Sequence, residues 1–481
     1  MMKVLRVLLA LCLLLGALTA CQNPNEGGDG SSAETEPVIL EGVISATAEG
    51  FTLDNAMIAF LFYDEFNAFV NQNYYYLSMY GLDPNKSLKE QKVPESEDTW
   101  FDYFMDSTKE WINQMVALAT EAKAKNMSLT EEDQKLIDDY IADMTEYATN
   151  NKYENLAVFL ADYYVSGVTE AAVRQALALQ LLASNYYDAL QKEFTFTDDD
   201  FTKYREEHPE VFLKTDYLCY GFPVTYDKDA TEEDKAAAVA KTKADAEAFL
   251  AKATDAETFL SLIKATEGFK ESDLAYYDIT GDKYLKDDAF TEWAFAADRA
   301  VGDKTVIEEK DPSNKDAVGG YTVYLLKKTA YFDDYATKNV RHILFTAKTY
   351  ETSEAAKKKA EEVLALYEQG EKTAEAFGAL AKEYTEDGNG DVGGLYENVP
   401  QGMMVETFND WMFDPVRQVG DVGIVETTYG YHIMYHVGDG EIAWKLTAEE
   451  KLLEEANAAK LEELIKVHPV TYDDAKLNEI P

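Results

Sequence analysis

Apolar residues recur along this chain with two different periods, and the change of period divides it. From about residue 38 to 196 the period is helical. Met57, Phe60, Leu61 and Tyr63 follow Thr52 and lead on to Phe66, Phe69 and Val70, so a helix is expected to open after Thr52. Thr130-Glu131-Glu132-Asp133 reads as a helix cap ahead of Leu136, Ile137, Tyr140 and Ile141. Residues 168–189 carry Leu177, Leu181 and Leu182 at the same spacing. In the segment that follows, residues 340–345 and 427–433 alternate as strands. Between them the pattern predicts a helix over Ser353–Gln369, stopped by Gly370, and a second helix opened by Thr373. A glycine-rich loop and a short helix over Glu406–Phe413 follow. After Gly440 helical spacing returns through Leu452, Leu453, Ala456, Leu461 and Leu464, and a strand is expected over residues 470–472.

A repeat runs through the strand-bearing part. Phe290, Trp293, Phe295 and Arg299 reappear, at one constant spacing, as Phe408, Trp411, Phe413 and Arg417. Val301, Gly302 and Asp303 return in the same way as Val419, Gly420 and Asp421, and Phe259 and Leu262 as Phe377 and Leu380. With small gaps, residues 217–222 match 340–345 and residues 320–323 match 430–433. The apolar frame persists while the polar positions change. His342 corresponds to Cys219, His432 to Thr322 and Met404 to Lys286.

Composition narrows the class. A chain of 481 residues has room for roughly two to four domains. Its 46% hydrophobic and 12% aromatic content supports packed cores. A net charge of −46 argues against nucleic acid, whose phosphates need clustered Lys and Arg. The acid either keeps an exported protein soluble or tunes contact with basic clients. Lys3 and Arg6 precede an uncharged apolar run over residues 7–18, which has signal-peptide length and is too short to span a bilayer. It ends in Leu18-Thr19-Ala20-Cys21, similar to a bacterial lipobox, so Cys21 is the expected lipidation site. Residues 21–37 then form a flexible tether. With Cys12 removed and Cys21 acylated, Cys219 stands alone, and no disulfide within the chain is expected.

The candidate chemistry lies in the last repeat. Strand alternation places His342 on one face with Val340 and Leu344, and His432 with Met434. No nucleophile–base pair accompanies them. His436 follows His432 by four residues, which on a strand is about 13 Å at ~3.3 Å per residue, too far to share an ion. Such a pocket suits binding and twisting a substrate better than cutting one.

Taken in order, His342-Ile343-Leu344, Thr385-Glu386-Asp387-Gly388, Gly393-Gly394-Leu395, Gly402-Met403-Met404 with Phe408, and Tyr429-Gly430-Tyr431-His432-Ile433 resemble a parvulin-type peptidyl-prolyl isomerase domain. The resemblance implies that His342 and His432 are the paired central histidines and that Asp387 fills a position held by cysteine or aspartate. Thr427 would lie beside them, and Leu395, Met404 and Phe408 would line a proline pocket, with no cofactor and no metal. Where the family commonly has Gly-Asp-Leu-Gly, this chain has Gly393-Gly394-Leu395-Tyr396. A single lysine in residues 346–350 argues against a preference for phosphorylated substrates.

The helical part, with Tyr80-Gly81-Leu82-Asp83, resembles the chaperone region of PrsA-like and SurA-like foldases. Its tyrosine clusters at residues 74–76, 163–164 and 186–187 either pack in the fold or grip unfolded chains. The expected architecture is therefore multidomain. A lipoprotein signal peptide (1–20) and tether (21–37) precede an all-α chaperone domain (38–212). Two α+β parvulin-like domains follow, the first degenerate (213–336) and the second carrying the site (337–441). Residues 442–481 either return to the chaperone domain, as the resemblance implies, or form a free amphipathic tail. The degenerate copy would act as a spacer or bind clients. The expected function is a membrane-anchored extracytoplasmic foldase that isomerises X-Pro bonds of exported polypeptides. The alternative is a catalytically silent holdase.

Overall fold

The computed structural model describes residues 39–481, so the expected signal peptide, Cys21 and the expected tether lie outside the described residues. The chain divides into two compact units. One holds the described chain up to Thr195 together with Leu453–Pro481, and the other is Phe196–Leu452. No helix among the described residues is long and apolar enough to cross a membrane.

The first unit is built on α1 (Asn55–Asn73), α2 (Trp100–Ala124), α3 (Glu131–Asn150), α4 (Leu156–Tyr163) and α5 (Glu170–Gln191). Capping residues set the starts. Thr99 with Asp102 and Thr130 with Asp133 form reciprocal capping boxes on α2 and α3. The first helix opens after Thr52, as expected, at Asn55. Asp54 caps it by accepting from the Met57 amide, because residues 51–54 are taken by a strand. Phe60, Phe62, Phe104, Phe159 and Tyr186 fill the core between these helices.

The expectation of an all-α domain needs correcting. Strands β1 (Ile44–Ala48) and β2 (Phe51–Asp54) form a hairpin around Gly50, whose φ of +74° suits glycine. A short strand near the C-terminus (Thr471–Tyr472) pairs antiparallel with β1, through Ala46 opposite Tyr472. Leu461, Leu464, Leu477 and Ile480 join the same core, and the Tyr63 hydroxyl donates to the Pro481 carbonyl at 2.8 Å.

The second unit carries two four-stranded antiparallel sheets. The first uses β3 (Lys214–Pro223), β4 (Asp278–Lys283), β5 (Lys304–Asp311) and β6 (Asn314–Tyr331) in the order β4-β3-β6-β5. The second uses β7 (Ala336–Phe345), β8 (Leu395–Val399), β9 (Val422–Thr427) and β10 (Gly430–Ile442) in the order β8-β7-β10-β9, the same arrangement. The short C-terminal strand of the first unit is thus β11. Registers agree as well: Cys219 lies opposite Tyr324, and His342 opposite Met434.

Each sheet packs one face on helices. For the first these are α7 (Glu232–Lys252) and α8 (Ala256–Lys264), after α6 (Asp198–Glu207). After α9 (Ala289–Ala294) and a one-turn α10 (Ala347–Tyr350), the second sheet is covered by α11 (Ser353–Gln369) and α12 (Ala374–Tyr384), with α13 (Glu406–Phe413) on its other face. The repeated Trp and Arg have a shared job. The Arg299 guanidinium lies over Trp293 at 5.5 Å and Arg417 over Trp411 at 4.1 Å, each arginine also facing the repeated aspartate.

Candidate active site

The alternation of β7 sends Ile343 and Phe345 into the core under α11 and α12, and leaves Val340 and His342 on the opposite face. On β10, Tyr431, Ile433 and Tyr435 go to the helix side, so His432 and Met434 emerge beside His342. His342 faces Met434 directly, and His432 faces Leu344, which makes the two histidines diagonal neighbours across the strands. Their Nδ1 atoms lie 3.0 Å apart and their rings stack at 5.2 Å. Both are buried, at 2% and 5% exposure.

A single line of hydrogen bonds runs through them. His342 Nε2 is 2.8 Å from Asp387 Oδ2, and Thr427 Oγ1 is 2.9 Å from His432 Nε2. The carboxylate can only accept, so His342 carries its proton on Nε2 and presents a lone pair at Nδ1. His432 must then donate from Nδ1, which leaves its Nε2 to accept from the Thr427 hydroxyl. Two protonated imidazoles would set N–H against N–H at 3.0 Å, so the rings cannot both be charged.

The electrostatics agree. Burial holds His432 down to about 4 from an ordinary 6.5, with the charge of His342 acting in the same sense and Asp387 opposing. Burial likewise lowers His342, against the pull of Asp387. For Asp387 burial acts upward, but the Tyr396 hydroxyl, His342 and the Gly388 amide together outweigh it and keep the carboxyl below its usual range.

Phe408 on α13 stands edge-on to both imidazoles, 5.5 Å from His342 and 5.4 Å from His432. Met404 packs half-buried against the same apolar group, with Val340, Met412, Val425 and Met434. Leu395 does not join them. Strand register puts it opposite Arg341, on the helix-covered face, because β8 begins at Leu395 after two left-handed glycines. The next residue, Tyr396, lies opposite Val340 instead and takes the place over the site. Its ring stacks on His342 at 5.2 Å and its hydroxyl donates to Asp387 at 2.7 Å. A tyrosine beside a predicted pocket residue was visible in the sequence, but its parity was not. Gly394 is required there: a side chain would meet the His342 carbonyl oxygen at 2.1 Å.

A second concavity, of about 1030 Å³, belongs to the helical unit. Tyr63, Phe66, Tyr74, Tyr147, Tyr163 and Tyr164 line it with Asn67 and Asp162. Of the predicted tyrosine clusters, Tyr75 is 90% exposed, whereas Tyr164, Tyr186 and Tyr187 are buried packing.

Comparison with known proteins bears on the second sheet. Residues 323–438 match the family model described as the PPIC-type PPIASE domain. This stretch is therefore a parvulin-type peptidyl-prolyl isomerase domain. No curated protein matches the chain. Similar solved structures include a peptidylprolyl isomerase, PrsA, from Bacillus anthracis, at 22% identity over 28% of this chain and TM-score 0.19. The chain spans 59% of that protein's length. PrsA from Bacillus subtilis is 17% identical over 79% of this chain and 91% of its own, with TM-score 0.30.

Proposed function

We propose that the protein is a lipid-anchored extracytoplasmic foldase whose second sheet catalyses cis/trans isomerisation of X-Pro bonds in exported polypeptides. The observation that carries this reading is the line Asp387–His342–His432–Thr427 set under Phe408 within a PPIC-type domain. Prolyl isomerisation breaks no covalent bond. Its barrier of ~18–20 kcal/mol reflects amide resonance, and unaided it takes roughly tens to hundreds of seconds. A protein accelerates it by binding the twisted amide better than either planar form.

In this reading Met404 and Phe408 hold the proline ring. The buried imidazoles form an uncharged, fixed wall, and Asp387 ends the line on the His342 side, with 27% of its side chain exposed. A carboxylate there shapes the field felt by the rotating carbonyl. The helical unit and its tyrosine-lined groove would hold unfolded segments, since tyrosine offers large contact area at low entropic cost. The first sheet would be a degenerate copy of the second. Lipidation at Cys21 would keep the whole at the membrane surface, and Cys21→Ala should shift the protein from the membrane to the soluble fraction.

NMR exchange on a proline-containing peptide tests catalysis. The wild-type chain should accelerate exchange, and rates no faster than those of a His342→Ala, Asp387→Ala double variant would leave the holdase in its place.

A further inference from the structure

We propose that Tyr396 is a positioning residue that sets the polarity of the histidine line by holding Asp387 ionised and in place. Asp387 Oδ2 receives two donors at once, the Tyr396 hydroxyl at 2.7 Å and His342 Nε2 at 2.8 Å. The same tyrosine ring covers one face of His342, with a tilt of only 23° between the planes. His432 stacks on His342 as well, and Phe408 meets it edge-on. The imidazole is thus enclosed by aromatic groups, both histidines are buried, and the carboxylate at the His342 end of the line is partly open to water.

That geometry makes the carboxylate the point where the line can be reversed. An ionised Asp387 admits only one tautomer of His342, and through it one of His432 and one orientation of the Thr427 hydroxyl. A protonated Asp387 would offer a donor of its own and release that choice. Burial pushes the carboxyl toward protonation, and the Tyr396 hydrogen bond is the largest influence opposing it. The phenol is itself pushed up to about 12 by burial and by Asp387, so it stays a donor throughout the working range. The ring also occupies the space above His342 that Leu395, on the other face, leaves open.

The catalytic half of this inference rests on the isomerase reading; the tautomer half stands without it. The test uses the full chain, with the Asp387 carboxyl carbon and the His342 ring nitrogens followed by NMR against pH. In Tyr396→Phe the Asp387 midpoint should rise by about one pH unit. The His342 nitrogens should lose the fixed Nε2–H pattern as the pH falls, and kcat should drop about tenfold with KM little changed. Substituting 3,5-difluorotyrosine, a stronger donor of nearly the same shape, should move the midpoint the other way.

A folded Tyr396→Phe chain with an unmoved midpoint and unchanged ring nitrogens overturns the assignment. If that chain fails to fold, the fluorinated residue decides alone, an unmoved midpoint again counting against it. A wild-type chain without isomerase activity removes the isomerase reading, and the midpoints still judge Tyr396.

Discussion

The two sheets of the second unit share strand order, register and an Arg–Trp anchor, yet they differ in what fills the face away from the helices. In the second, Phe408 stands edge-on to two imidazoles, with Met434 behind them. In the first, the matching Phe290 is stacked on Tyr324 at 4.2 Å and lies 4.3 Å from Tyr217. Tyr324 occupies the position of Met434, so aromatic rings occupy the space that the second sheet leaves to histidines. Cys219, in the place of His342, has a thiol pushed up to about 11, first by burial and then by nearby aspartates. That direction favours the protonated thiol at neutral pH. The helix-facing half of each sheet thus specifies the fold, and the other half is free to hold a site or to be packed shut.

This contrast can be broken by substitution. The largest effect is expected for His342→Ala with Asp387→Ala, which should lower the peptide-exchange rate about a hundredfold, whereas Cys219→Ala should leave it unchanged. Next is Met434→Tyr, which places the first sheet's residue in the second. Met434 has no exposure, so the larger ring should destabilise the domain by about 1–3 kcal/mol and cut exchange about tenfold. The reverse change, Tyr324→Met, should open space without creating activity.

Acid separates the sheets further. His432 stays neutral in the folded chain down to about 4, whereas an unfolded chain takes up that proton below about 6.5. The stabilisation is fully present above 6.5 and is lost as pH falls toward 4. His342 and His436 are lowered too and act in the same direction. The first sheet has no histidine between residues 214 and 331 and lacks this loss. Hydrogen exchange at pH 7 and pH 5 should therefore show protection falling first in the second sheet.

The smallest effects test what the sheets share. Gly302 and Gly420 are matching positions with φ of +89° and +90° and no close neighbour. Alanine at either should cost about 1 kcal/mol by denaturant titration, from backbone strain alone. A large inequality would mean that the repeat does not extend to this turn.

Much of this was legible in the residue pattern. The capping threonines Thr130 and Thr373, the helices Ser353–Gln369 and Glu406–Phe413, and the shared face of His342 and His432 all follow from local chemistry and a period of two or 3.6. The short strand at Thr471–Tyr472 was expected, but its partner was not. The hairpin of β1 and β2 was missed because its strands are only five and four residues long and run directly into a helix.

The sequence by itself determined the repeat, the identity of the polar line and the side of the strand on which each histidine stands. Periodicity and residue type are carried by the chain whatever it folds against. Only the tertiary structure decided that Tyr396 rather than Leu395 covers His342, that Tyr324 and Phe290 stack on the first sheet, and that β11 completes a sheet with β1. These outcomes depend on where a strand begins after a glycine turn and on which distant side chains compete for one space. Both are settled by packing between segments far apart in sequence, where a shift of one residue moves every side chain to the opposite face.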